Sequence, residues 1–174
     1  MADNVFTLPG EKSHSLQRPR ALNAIIYGGL AVGVLDGLAA VILTVLHGRS
    51  PIGMFQYIAS GLIGRASAEG GWAPVLLGVS LHFLIAFIWA TIYYCASFKL
   101  PALIRRPLIC GAIYGVVVYF AMQIIVLPLS AIRQPPFLFA VNLQGMLRGI
   151  IVHILCVGLP IAFFARRSAE KMEK

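Results

Sequence analysis

The chain has 174 residues, of which 59% are hydrophobic and 11% charged, with a mean hydropathy of +0.86 and a formal net charge of +8. Soluble domains carry about 25% charged residues, so the composition excludes a water-soluble domain and points to a lipid bilayer as the solvent. In a soluble chain the positive excess would suggest nucleic acid, but no basic stripe is interleaved with aromatics, and nucleic acid is not an expected partner.

Residues 1–20 form a polar tail with Lys12, Arg18 and Arg20 ahead of a long apolar run. No small-residue cleavage site follows, so the run reads as an uncleaved first helix. Residues 21–46 are interrupted by one charge, Asp36; as a helix they reach about 39 Å against a hydrocarbon core of about 30 Å. Gly29, Gly33 and Gly37 recur every four residues and place a side-chain-free strip on one face, where another helix backbone can approach. A second copy of the chain meeting such a face would make a homo-oligomer.

Ser50 and Pro51 open a shorter run, about 51–67, with Ser as N-cap and Pro at the first helical position. It contains Gln56 and Arg65 and is too short to span, so it is expected as an interfacial or re-entrant helix on the outer side, ended at Glu69-Gly70-Gly71. The second span is expected over about 74–98, the third over 108–131 and the fourth over 145–165, with a tail at 168–174. Pro128 is expected to kink the third span. Between the third and fourth spans, residues 133–143 read as a proline-broken aromatic loop covering the outer side. The fold class is thus an all-α membrane protein, a four-helix transmembrane bundle over 21–167 as one domain.

Ten basic residues, at 12, 18, 20, 99, 105, 106, 166, 167, 171 and 174, fall on one side of these spans, and Arg49, Arg65, Arg133 and Arg148 on the other. The bias places both termini in the cytoplasm. The three cysteines, Cys95, Cys110 and Cys156, lie in or beside apolar runs without C-x-x-C spacing and read as small hydrophobes.

An ionisable residue at membrane depth is costly and by default faces protein or water. His82 and His153 each lie about 12 Å from the outer end of their span, as does Gln123, and Asp36 lies about 16 Å in. Asp36, His82, Gln123 and His153 therefore share one expected layer, with Tyr119 a turn from Gln123. The two halves also repeat a pattern: Gly29/Gly33, Arg49, Pro51 and Gly78/His82 against Gly111/Gly115, Arg133, Pro135 and Gly149/His153.

Four uses of the layer stay open. The residues can stabilise the bundle alone. His82, His153 and Asp36 would suit a divalent metal. The two histidines would suit a b-type haem, with Gly78 and Gly149 clearing space for the porphyrin. Or Asp36, His82, Tyr119, Gln123 and His153 would form a ligand-binding or proton-responsive pocket. No nucleophile–histidine pair, H-E-x-x-H or phosphate loop is present, so a classical enzyme is not expected.

Through Arg49-Ser50-Pro51, His82, Tyr94-Cys95, Pro128-Leu129, Pro135-Pro136-Phe137, His153 and Arg166-Arg167, the chain resembles the YagU-type family of small bacterial inner-membrane proteins. The resemblance implies a four-helix inner-membrane protein of unestablished molecular activity. It extends to the His82 and His153 pair and not to Asp36.

Overall fold

The computed structural model describes residues 21–132 and 142–170. The expected N-terminal tail, residues 171–174 of the expected C-terminal tail and residues 133–141 of the expected aromatic loop lie outside the described residues; residues 168–170, expected as tail, continue the last helix. The described chain is helical throughout: α1 (Ala21–Leu46), α2 (Pro51–Ile63), α3 (Trp72–Ser97), α4 (Ala102–Arg105), α5 (Pro107–Leu129) and α6 (Leu143–Ala169). Four of these, α1, α3, α5 and α6, are long and apolar enough to cross a membrane, and 22% of each span's most apolar stretch is buried inside the protein. Most of each span is thus left for lipid, where a helix satisfies its own backbone polar groups. The expected all-α four-helix bundle is the observed architecture.

Helix ends follow local chemistry. α1 stops at Gly48, whose φ of 69° suits a residue without Cβ. The Gly48 amide donates to Val45 O and the Arg49 amide to Thr44 O, at 2.8 and 2.9 Å, which is a Schellman closure. α5 opens on Pro107, where the missing N–H is one the helix could not use. α6 starts at Leu143, two residues before the expected start, because the Asn142 side chain accepts from the Gln144 and Gly145 amides.

The helices pack unequally. α1 lies against α3 and α6, and α5 lies against α6. The α5–α6 contact is a backbone approach: a Cβ added at Gly111 would meet Gly158 O, and one at Gly115 would meet His153 O and Ile154 Cα. By contrast, α3 and α5 do not pack backbone to backbone but meet through long side chains. Tyr93 and Tyr114 stand edge to face at 4.9 Å, and the Tyr114 hydroxyl donates to Trp89 O at 2.7 Å. Close approach on one side of α5 and aromatic spacers on the other leave room inside the bundle.

The glycine strip of α1 behaves differently from expectation. No neighbouring backbone enters it; instead Phe87 fills the notch at Gly29, Phe83 the notch at Gly33, and the His82 ring the notch at Gly37. Gly29, Gly33 and Gly37 are therefore occupied by α3 of the same chain. The two halves of the proposed repeat are also inequivalent, since Gly78 abuts the backbone of Phe55 in α2 whereas Gly149 abuts the ring of Tyr119 in α5.

α5 and α6 each widen into a π turn, over Met122–Val126 and Ile154–Gly158. Each π turn is followed by Leu-Pro, at Pro128 and Pro160. A proline inside a helix lacks its N–H and crowds the carbonyl four residues back, here Ile124 and Cys156, and a wider turn moves that carbonyl away. The helix distortion expected at Pro128 takes the form of a π turn over Met122–Val126, just before the proline.

Candidate functional site

Asp36 of α1, His82 of α3 and His153 of α6 line one cavity of about 110 Å³. The rest of its wall is Val32, Ile58, Ile85, Ala86, Trp89, Val118, Met122 and Val157. Ile58 comes from α2, which lies across this end of the bundle as a lid. The α2 lid starts beside Thr44 and Arg49, rests Phe55 on Gly78, and ends where Gly61 O accepts the Ala131 amide at 2.8 Å. This matches the expected short helix over 51–67, with its last turn 3-10 over Gly64–Ala68.

Each histidine is fixed by a backbone carbonyl. His82 Nε2 lies 3.0 Å from Gly33 O, joining α3 to α1, and His153 Nδ1 lies 2.9 Å from Gly149 O within α6. A carbonyl oxygen only accepts, so each bond assigns the proton: His82 carries N–H at Nε2 and His153 at Nδ1. In the neutral form of each ring the remaining nitrogen, His82 Nδ1 or His153 Nε2, is an acceptor. Asp36 has no hydrogen-bond or ion-pair partner among the described residues.

The other two expected site residues do not line the cavity. Val118 and Met122 present the α5 face that does. Tyr119 and Gln123 each follow one residue later, about 100° around the helix. Gln123 instead hydrogen-bonds Tyr119, and the buried Tyr119 ring stands edge to face on His153 at 5.4 Å. Tyr119 thus stands against the His153 ring and is not part of the cavity wall. Asp36, His82, Gln123 and His153 are each half-buried within the protein, and Asp36, His82 and His153 share the cavity.

Metal and haem can be judged from these residues. Among the described residues no group of three His, Cys, Asp or Glu is placed to hold a metal ion, so Asp36, His82 and His153 line one space without forming a ligand set. The cavity, at about 110 Å³, is smaller than an engineered cavity of about 150 Å³ that takes benzene. The four linked pyrroles of a porphyrin do not fit.

One contact had no counterpart in the sequence reading. The Arg148 guanidinium of α6 donates to His47 Nε2 at 2.7 Å, while His47 Nδ1 lies 2.6 Å from Leu43 O. It clips the lid-side ends of α1 and α6 together. The partners are 101 residues apart, and no spacing rule signals such a pair.

In comparisons with known proteins, the chain matches no family model, no curated protein and no solved structure.

Proposed function

We propose that this chain is a multi-pass protein of a bacterial inner membrane, with both termini in the cytoplasm, and that the Asp36–His82–His153 cavity is a proton-responsive binding pocket. Membership in the YagU-type family is part of the same proposal and rests on the residues quoted above. The orientation rests on the ten-to-four division of basic residues across the spans.

The observation that carries the reading is Asp36, a carboxyl at membrane depth that shares a cavity with two histidines yet has no partner among the described residues. Carboxyls in such places are expensive to keep unless they serve proton or ligand traffic. Histidine is the side chain whose charge changes nearest neutral pH, so carboxyl and imidazoles in one space exchange protons readily.

The experiment is a titration of the His82 and His153 rings by NMR in nanodiscs, with and without Asp36→Asn. The expected result is that both rings titrate and that the isosteric substitution displaces both curves. Curves indifferent to Asp36→Asn would sink the reading.

A scaffold role is the second reading, favoured by the bond from His82 to Gly33 O, which ties α3 to α1. On that reading His82→Ala lowers the unfolding midpoint, in proportion to an interhelical bond of about 0.6 kcal/mol, and removes nothing else.

A further inference from the structure

We propose that the occupant of this cavity is a compact protonated amine, paired with the Asp36 carboxylate. The inference rests on the binding-pocket reading above and supplies its ligand class. It starts from the polar inventory of the wall. Asp36 offers a carboxylate, His82 offers Nδ1 and His153 offers Nε2, because the other nitrogen of each ring already donates to Gly33 O or Gly149 O. Apart from the Trp89 indole N–H, the polar side chains lining the space present acceptors.

Such a wall selects among ligands. An anion meets Asp36 and no Lys or Arg on the wall. A neutral molecule leaves the carboxylate uncompensated in an apolar space. A metal ion lacks its ligand set. An alkylammonium brings a charge for the carboxylate and up to three N–H donors for three acceptors. Its alkyl part meets Val32, Ile58, Ile85 and Val157, and Trp89 adds an aromatic ring that attracts cations when its face is presented. About 110 Å³ limits the amine to a few carbons.

Binding changes no covalent bond: R–NH₃⁺ meets the Asp36 carboxylate as the ion pair Asp36–COO⁻···H₃N⁺–R. The groups lining the cavity with Asp36 are His82 from α3 and His153 from α6, while α2 and α5 present only Ile58, Val118 and Met122.

The test is calorimetry of the full chain in nanodiscs with ethylammonium, with ethanol as the neutral control. The expected result is saturable binding of ethylammonium. Ethanol gives no heat. Asp36→Asn weakens ethylammonium at least tenfold at an unchanged unfolding midpoint, and Ile58→Trp, which fills the space from the lid, abolishes the heat. Saturable binding equal for ethanol and ethylammonium, or binding that survives both substitutions, overturns the proposal. If ethylammonium gives no heat while the histidine rings still titrate with Asp36 dependence, the ligand class is wrong and the proton-responsive reading stands. If neither signal appears, both fall.

Discussion

Glycine identity decides more here than hydrophobicity does, because the same residue type does two jobs. At Gly115 an added methyl meets backbone, His153 O and Ile154 Cα, which cannot yield without moving α6. At Gly37 it meets the end of the His82 ring at 3.2 Å, which can shift by a few tenths of an ångström. Gly115→Ala is therefore expected to destabilise by about 2 kcal/mol, in the range of overpacked cores. Gly37→Ala should cost less but move the His82 ring off Gly33 O. Unfolding midpoints in detergent check the first, and the His82 ring shifts check the second. The glycine spacing was legible in the sequence. What filled each notch was not, since the i+4 pattern is the same whether a backbone or a phenylalanine enters. Asp36, His82 and His153 were legible as polar residues at one depth. Depth alone did not say that Gln123 stands a third of a turn away.

At the scale of the element, the π turns matter most. A π turn holds one residue more than the α-helix it replaces, so it advances everything beyond it by about 100°. In α6 the π turn separates His153, on the cavity, from the buried Ile161, Ala162 and Ala165, and so sets their relative angle. Deleting the exposed Leu155 together with Pro160→Ala removes both the extra residue and the proline that requires it. The helix then runs on as plain α with His153 and Ile161 at their present angles. This double change is expected to keep the fold and the histidine titration. Deleting Leu84, equally exposed but in the regular part of α3, rotates His82 away from Ala86, Ala90 and Tyr93 and is expected to unfold the bundle. Circular dichroism and midpoints compare the two. The Leu-Pro pairs stood in the sequence, and only Pro128 was read as a helix distortion. Nothing in hydropathy distinguishes a π turn from a kink.

For the whole molecule, the four spans were readable to within a few residues, because apolar length is fixed by bilayer thickness and not by tertiary detail. The order of neighbours was not, since it depends on which faces carry glycine and which carry aromatics. The clip between His47 and Arg148 belongs to this scale too. His47 Nε2 accepts from the guanidinium only while that nitrogen is unprotonated. Spin labels at Leu46 and Leu147 are expected to stand further apart in Arg148→Ala than in the native chain. At the other end, Trp89, Tyr114 and the fully buried Tyr93 stack beneath the cavity, and Tyr93 is pinned by its hydroxyl donating to Leu103 O at 2.9 Å. With aromatic rings packed behind Trp89, the space is expected to hold an occupant rather than to conduct: electrodes on either side of a planar bilayer containing this protein should record silence.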